Sequence, residues 1–536
     1  MSLHKYVRGA RQLGGTIHHL VTLLFSSIAR RFYPWVTTWA VSGEERGQGR
    51  PFPLPVSSTS VDRSGVRQLG VTIDVLPDYA FLEIFDFYKG LATYLHSSAW
   101  KWQTLAHVCR RWRHIILSSP RRLDLRVYCN SRKQTRKALN IWPSFPISLT
   151  SFLPFDGRMD VQSEENIIAA LEQRDRIAEI VLDGLTRTML ERFAAVMGEP
   201  LPGLTYLDMA SYDVPVAALP DAFLGGSAPR LRVIALRGIP FPALPNLVLS
   251  ASRLHSLHLR EIPRSGYIPP HAMVTVLLAL PDLKFLTIEF RSAQSRPLQV
   301  IPPPFTRVVL PTLTNLQFKG VSEYLEGFVS RIDTPLLNSF QITLFSESLF
   351  DIPHLYKFID RTESLKPLKK AEMKLSPWGI LAVLGSPTAF PNVVKLEIAH
   401  NVLEWQVPSM ARVCDQLLPL LSQVERLDIV EGSGGRVEWP DYPDPAPWLE
   451  LLNPFVSVKS LYVSKKLGPL LEPALQELAG ERLGVMEVLP ALHDLFLEGP
   501  QSPGSVQDAI KSFVAARQFP DHPVVIQCWE RMQESR

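Results

Sequence analysis

Residues 281–288 read Pro-Asp-Leu-Lys-Phe-Leu-Thr-Ile, and the spacing of their apolar residues recurs along most of the chain. Leu286 and Ile288 are two residues apart, so they project from the same face of an extended strand. The order apolar-x-x-apolar-x-apolar occurs twelve times, with 23 to 34 residues between the starts of successive units. The units are Ile177/Ile180/Leu182, Leu204/Leu207/Met209, Leu231/Ile234/Leu236, Leu254/Leu257/Leu259, Leu283/Leu286/Ile288, Leu313/Leu316/Phe318, Leu337/Phe340/Ile342, Leu368/Ala371/Met373, Val393/Leu396/Ile398, Val424/Leu427/Ile429, Val458/Leu461/Val463 and Leu492/Leu495/Leu497.

Such a unit cannot bury its apolar side chains alone, so neighbouring units must stack and bury them together. A proline stands two residues before the first apolar position in seven units, where a strand begins and one missing N–H is tolerated. These prolines are Pro202, Pro229, Pro281, Pro311, Pro335, Pro391 and Pro490. The pattern and its period resemble leucine-rich repeats, and they predict a solenoid of short strands and helical returns over residues 129–500.

A second organised stretch precedes the repeats. Residues 76–86 read Leu-Pro-Asp-Tyr-Ala-Phe-Leu-Glu-Ile-Phe-Asp, and residues 108–113 read Val-Cys-Arg-Arg-Trp-Arg. Pro77 and Asp78 suit the first turn of a helix, and an apolar stripe follows at Phe81, Leu82, Phe85 and Tyr88. A second stripe, Trp102, Leu105, Cys109, Trp112 and Ile116, predicts another helix that ends at residues 118–120. Spacing alone is equally compatible with two ordinary amphipathic helices.

The order Leu-Pro, Leu-x-Ile-Phe, Val-Cys-Arg-x-Trp-Arg and Ser-Pro-Arg-x-Leu resembles the F-box. The F-box is the helical module that docks on the Skp1 adaptor of cullin–RING ubiquitin ligases, and the second half is most similar to F-box proteins of mushroom-forming fungi. Tyr79 stands where the family usually has Glu, and the link from Lys89 to Ala99 is longer than usual. The resemblance places the F-box at residues 71–128 and implies an α/β solenoid in which this helical module precedes an irregular leucine-rich-repeat array.

The resemblance also implies which residues bind the adaptor: Leu76, Pro77, Leu82, Ile84, Phe85, Val108, Cys109, Trp112 and Ile115. Some of them must instead hold the module's own helices together, and we expect this of Trp112 and Cys109.

The two ends of the chain lie outside the repeat pattern. Residues 1–70 contain no Asp or Glu before Glu44, and they predict a basic, mobile extension and linker that contacts acidic lipid. A transit peptide is the other interpretation of this segment. Its apolar run, Ile17–Ile28, is too short to span a membrane. Residues 501–536 contain a one-sided helix at Ser505–Phe519, and they predict a C-terminal cap over the last repeat.

Composition and motif content limit the classes of function that are compatible with the sequence. Hydrophobic residues make up 46% of the chain and charged residues 20%, which is typical of a globular protein. A net charge of +4 gives no nucleic-acid footprint. The four cysteines, Cys109, Cys129, Cys414 and Cys528, are far apart, which argues against a zinc site or disulfides and for the cytoplasm or nucleus. The nucleotide, zinc-protease and serine-hydrolase motifs are absent, so we expect no enzyme, cofactor or metal.

Two functions are consistent with these features. The first is the substrate-recognition subunit of a Skp1–cullin–F-box ubiquitin ligase, with the F-box on Skp1, a cullin bound through it, and a protein substrate of unknown identity on the repeats. The second is a leucine-rich-repeat interaction scaffold that acts outside a ubiquitin ligase and is tethered through its basic N-terminus.

The repeats also suggest where a substrate binds. In each strand the residue between the second and third apolar positions points away from the core, because strand side chains alternate. Late in the array these positions are Glu372, Glu397 and Asp428, followed by Tyr462 and Phe496. If the units stack in chain order, the three carboxylates form a column that binds a basic segment, with the two aromatic residues as anchors. The alternative is a solvated face with no ligand.

Overall fold

A computed structural model describes residues 76–94, 102–120, 122–130, 135–141, 145–151, 160–293, 306–345, 350–385, 393–399, 403–432, 444–479, 488–498, 505–516 and 524–529. The predicted basic extension at residues 1–70 lies outside these ranges. The chain divides into two compact units, Met1–Leu125 and Arg126–Arg536.

The described part of the first unit contains three helices: α1 (Asp78–Tyr94), α2 (Trp102–Ala106) and α3 (Arg110–Ser118). Its core is an aromatic cluster in which the ring of Trp112 meets the rings of Phe81 and Phe85 edge-on, with centroids 5.6 and 5.0 Å apart. Such pairs add stability beyond the apolar area that they bury. Phe81, four residues before Phe85, therefore packs as the sequence stripe predicts.

The prediction of one continuous helix through Cys109 is wrong, because α2 ends before it and α3 begins after it. Cys109 has an extended backbone with φ −156° and ψ 171°, and its Sγ accepts a hydrogen bond from the backbone N–H of Trp112 at 3.4 Å. It thus caps α3, as polar residues usually do at a helix N-terminus. Cys109 is exposed and does not join the apolar stripe.

Among the described residues, the second unit is built on one sheet of 16 strands with helices between them. The strands of the chain are β1 (Val127–Asn130), β2 (Ile147–Thr150), β3 (Ile177–Leu182), β4 (Tyr206–Ala210), β5 (Val233–Arg237), β6 (Ser256–Ile262), β7 (Phe285–Phe290), β8 (Val308–Val309), β9 (Asn315–Gly320), β10 (Ile332–Asp333), β11 (Ser339–Phe345), β12 (Lys370–Ser376), β13 (Gly379–Gly385), β14 (Val393–Ala399), β15 (Arg426–Glu431), β16 (Ser460–Val463), β17 (Asp494–Glu498) and β18 (Val525–Trp529). The short strands β8 and β10 pair with each other in a separate sheet.

The helices of the second unit return the chain between strands. They are α4 (Thr135–Ile141), α5 (Val161–Leu171), α6 (Arg187–Val196), α7 (Leu244–Ser250), α8 (Pro270–Leu278), α9 (Ser322–Val329), α10 (Pro353–Arg361), α11 (Leu403–Gln416), α12 (Leu418–Leu421), α13 (Ala446–Leu452), α14 (Gly468–Ala479) and α15 (Ser505–Ala516). Short 3₁₀ turns complete several returns, as at Arg174–Arg176.

Each of the twelve predicted units supplies a strand to the sheet. In the unit around β7, for example, Leu283, Leu286 and Ile288 are all buried in one continuous hydrophobic core. Most neighbouring strands are parallel, and successive helices such as α8 and α9 pack against each other. This is the architecture expected of stacked leucine-rich repeats, in which each unit buries its apolar residues against the next.

The order of strands departs from the order of the chain at one place. The sheet runs β11-β14-β13-β12-β15, so β12 pairs parallel with β15 while β13 lies antiparallel between β12 and β14. The twelve units are therefore not stacked strictly in chain order, and β13 was not predicted. Gly379 begins β13 where the backbone of β14 comes so close that a Cβ would lie 2.3 Å from the carbonyl oxygen of Ile398.

Both ends of the sheet extend beyond the predicted array. β1 begins at Val127, inside the predicted F-box range 71–128. At the other end β18 is the last strand, inside the predicted cap 501–536, and α15 buries Ile510, Phe513 and Val514 in the core. Across the described ranges, no helix has the length and apolar character needed to cross a membrane.

Candidate functional site

The residues predicted to bind an adaptor fall into two groups in the first unit. Phe85, Trp112 and Ile115 are buried, so they hold the three helices together. The other six reach the surface to different degrees: Leu76, Leu82, Ile84 and Val108 are half-buried, while Pro77 and Cys109 are exposed. The expected internal role is thus observed for Trp112, whereas Cys109 acts through its cap on α3.

Arg111 connects α3 to the start of α1 and was not among the predicted residues. Its guanidinium donates hydrogen bonds to the carbonyl oxygen of Leu76 at 2.6 Å and to the carboxylate of Asp78 at 2.8 Å. The same group lies over the ring of Phe81, 4.9 Å from the ring centroid. Arg111 therefore fixes the Leu76–Pro77 segment against α3.

The outward side of α3 is basic. Arg110, Arg113, His114, Leu117 and Ser118 line a depression on this side. Arg113 donates a hydrogen bond from Nε to the carbonyl oxygen of Ala106 at 2.9 Å, which links α3 to the end of α2. A partner that contacts this side of α3 meets positive charge as well as the side chain of Leu117.

In the second unit, the candidate binding surface is the sheet face opposite the described helices, which we name the helix-free face; it carries the strand side chains that alternate with the buried ones. The central row of this face follows the strand register and contains one residue from each strand of the large sheet from β3 to β18. In sheet order the row is Val181, Asp208, Ala235, His258, Thr287, Gln317, Gln341, Lys395, Val383, Glu372, Asp428, Tyr462, Phe496 and Gln527.

The predicted column of three carboxylates does not exist as a column. Glu372 and Asp428 are direct partners across β12 and β15, but the residue that β14 places in this row is Lys395. Glu397 lies in the adjacent row, two residues further along β14, where it pairs with Thr343 of β11 and Leu381 of β13. The cause is the inserted β13 together with a two-residue shift of β14, whose Val394 aligns with Phe340.

The carboxylates of this region are paired within the chain. Asp428 is only 6% exposed and accepts hydrogen bonds from Arg426 at 2.7 and 3.1 Å, while Nζ of Lys370 lies 2.9 Å away. Glu372 forms an ion pair with Lys374 at 3.3 Å. Glu397 accepts a hydrogen bond from the hydroxyl of Thr343 at 3.0 Å. These acids therefore stabilise the sheet surface, and their role toward a substrate stays a prediction.

The two predicted aromatic anchors do lie together. The rings of Tyr462 and Phe496 are stacked, with centroids 4.2 Å apart and planes 5° from parallel. Trp529 on β18 meets Tyr462 edge-on at 5.5 Å, and the guanidinium carbon of Arg426 lies 3.8 Å from the Tyr462 centroid. Trp529 and Arg426 were not predicted, because only the register of β15–β18 brings them to these rings.

The earlier part of the helix-free face is polar. Nδ1 of His258 lies 2.9 Å from the hydroxyl of Thr287, and Gln317 donates a hydrogen bond to Glu289 at 2.7 Å. Burial lowers the pKa of His258, with a smaller effect from Arg260. Burial also raises the pKa of Asp208, and the neighbouring Asp183 raises it further. Within the ranges that the structure describes, no group of three His, Cys, Asp or Glu side chains is arranged to hold a metal ion.

No protein-family model matches this chain, and no curated protein matches it. Among solved structures, it is similar to the crystal structure of the leucine-rich repeat-containing protein LegL7 from Legionella pneumophila. The two are 10% identical, and the match covers 74% of this chain and 99% of that chain with a TM-score of 0.26. At this TM-score the similarity adds nothing to the repeat architecture, which rests on the strands and their pairing.

Proposed function

We propose that this chain is the substrate-recognition subunit of a Skp1–cullin–F-box ubiquitin ligase. One observation carries the proposal: the Leu76–Pro77 segment and the Val-Cys-Arg-x-Trp-Arg segment, far apart in sequence, meet through Arg111. Both segments are F-box-like, and their contact leaves Pro77 exposed and Leu76 half-buried at the surface of one small helical unit. An adaptor would contact this surface together with Leu82, Ile84 and Val108.

The repeats suit the second half of this role. A stacked solenoid presents a long surface that binds proteins without catalysis, and a protein-interaction role follows from that architecture. We therefore assign adaptor binding to the first unit and substrate binding to the helix-free face of the second. In this proposal the chain performs no chemical step, and ubiquitin transfer belongs to other subunits.

The test is co-purification of the full chain with Skp1 and a cullin. We expect the wild-type chain to capture both, and the double variant Leu76→Ala, Pro77→Ala to capture neither. Leu249→Ala is a matched control, because Leu249 is an exposed leucine on α7 of the repeats. If the double variant captured Skp1 as well as the wild type, the assignment would be wrong.

The alternative is an interaction scaffold that acts outside a ligase. It is favoured by the burial of Phe85, Trp112 and Ile115, which leaves fewer apolar side chains for an adaptor. The same experiment separates the two functions, since a scaffold of this kind would remain soluble and folded but would capture no cullin.

A further inference from the structure

The aromatic stack on the helix-free face has two ends that differ in what covers them. At the first end the guanidinium of Arg426 lies over Tyr462 and is paired with Asp428. At the second end lies the face of Phe496 that is turned away from Tyr462, toward β18. The residue of β18 in this register is Gln527, which is exposed and uncharged.

A carboxylate stands beside the second end. Asp494 is two residues before Phe496 on β17, so both side chains project from the same face. The described ranges contain no ion pair to Asp494; its carboxylate accepts only a long hydrogen bond of 3.4 Å from Gln527. Glu498, two residues after Phe496, accepts a hydrogen bond from the backbone N–H of Lys465 at 3.2 Å.

The contacts at the first end of the stack indicate which kind of ligand suits the second end. There a guanidinium stacks on an aromatic ring while a carboxylate binds its N–H groups, an arrangement that arginine's planar, permanently charged group makes better than lysine's. At the second end the ring and the carboxylate are present, and the chain supplies no cation to them among the residues described. We propose that this end of the stack binds an arginine side chain of a partner protein, which stacks on Phe496 and pairs with Asp494.

The charges beside the aromatic stack favour a basic partner over an acidic one. An acidic segment would need Arg426, but the charge of Arg426 is already balanced by the buried Asp428. A basic segment finds Asp494 without an ion pair to any described residue, and an aromatic face next to it. The arginine site rests on the proposed function in one respect only: the partner that carries the arginine is identified as the substrate.

The test is selection of a random 12-residue peptide display library on the full-length chain, which requires neither Skp1 nor a cullin. We expect selected peptides to share an arginine, and replacement of that arginine by glutamine to weaken binding about 10-fold, the size of a partly desolvated cation–π contact. Asp494→Asn and Phe496→Leu should each weaken binding by a comparable factor. Glu477→Gln is the matched control, because Glu477 is an exposed acid on α14.

The experiment distinguishes failure of the arginine site from failure of the ligase role. Selection of acidic or uncharged peptides, or equal binding by the Asp494→Asn and Glu477→Gln variants, would overturn the arginine site. Thermal denaturation of each variant shows whether a loss of binding reflects a loss of folding, and Phe496→Leu preserves most of the apolar volume. Failure to capture Skp1 with intact arginine-peptide binding would refute the ligase role and leave the site standing.

Discussion

Arg111 and Leu76 are 35 residues apart in sequence, and Nη2 of Arg111 lies 2.6 Å from the carbonyl oxygen of Leu76. The guanidinium also pairs with Asp78, but both side chains of that pair are partly exposed, at 34% and 60%. Solvent screens an exposed ion pair, even a hydrogen-bonded one, to about 0–1 kcal/mol, whereas the hydrogen bond to Leu76 is partly buried and, with a charged donor, contributes about 1.5–3 kcal/mol. The bond to Leu76 is therefore the stronger link between α3 and the start of α1.

Arg111→Met should loosen the start of α1 more than Asp78→Asn does. We expect the arginine variant to lose about 1–3 kcal/mol of local stability, and the aspartate variant to lose at most about 1 kcal/mol. Amide hydrogen exchange of residues 78–86 measures this directly in the full chain. Equal protection in the two variants would mean that the carbonyl bond contributes nothing beyond the ion pair.

Leu286→Asp should disrupt several repeats at once. Leu286 is 1% exposed, so the substitution buries an unpaired carboxylate in a core that the units share. We expect insoluble protein, or protease cleavage within residues 250–350. Phe285→Asp is the matched control, because Phe285 is 42% exposed on the opposite face of the same strand. A soluble, protease-resistant Leu286→Asp variant would show that the repeat register is wrong.

Gly379→Ala should destabilise the inserted strand β13. An added Cβ would lie 2.3 Å from the carbonyl oxygen of Ile398, and backbone atoms cannot move aside as a flexible side chain does. We expect a loss of about 1–3 kcal/mol, the usual cost of overpacking. Gly198→Ala is the control, since its closest contact would be 3.3 Å. Hydrogen exchange in residues 379–385 reports the effect, and unchanged protection there would argue against the observed strand order.

Glu326 makes the stability of the repeats depend on pH. Its carboxylate, on α9, accepts hydrogen bonds from the backbone N–H groups of His354 and Leu355 at the start of α10, at 2.7 and 2.8 Å. Burial raises the pKa of Glu326 from 4.5 to about 7, and Asp351 adds to the increase, while the two hydrogen bonds and Lys357 oppose it. The folded state therefore favours the protonated acid.

The contribution of Glu326 to stability is fully present below pH 4.5 and is lost as the pH rises through about 7. Glu326→Gln cannot titrate, so the variant should lose less stability than the wild type between pH 5 and pH 7.5. Urea denaturation at both pH values measures the difference. His354, whose pKa is lowered by burial, titrates in both proteins and cancels in the comparison. Parallel pH profiles would show that Glu326 ionises normally.

Asp428→Asn should disturb the aromatic stack as well as the sheet. The substitution leaves Arg426 and Lys370 beside each other without their shared counter-charge. Because Arg426 and Lys370 are partly exposed, we expect a cost of about 1–3 kcal/mol, less than for a fully buried pair. Glu372→Gln, the control on the neighbouring strand, should cost less than about 1 kcal/mol. Thermal denaturation compares the two, and equal effects would contradict the structural role of Asp428.

The strands of the twelve repeat units were predictable from local spacing, because side chains two residues apart project from the same face of a strand. Leu283, Leu286 and Ile288 are buried as that spacing requires. The same is true of the Phe81 and Phe85 stripe on α1. No local spacing indicated the role of Arg111, because its partners, Leu76 and Asp78, are far from it in sequence.

Which strands are neighbours was decided only by the tertiary structure. Glu397 and Glu372 carry the same local pattern, yet β13 separates their strands and a two-residue register shift puts them in different rows. Tyr462 and Phe496 kept their predicted contact because β15–β18 stack in chain order. Local sequence sets which face of a strand is buried, whereas pairing between strands depends on backbone hydrogen bonds, which any sequence can form.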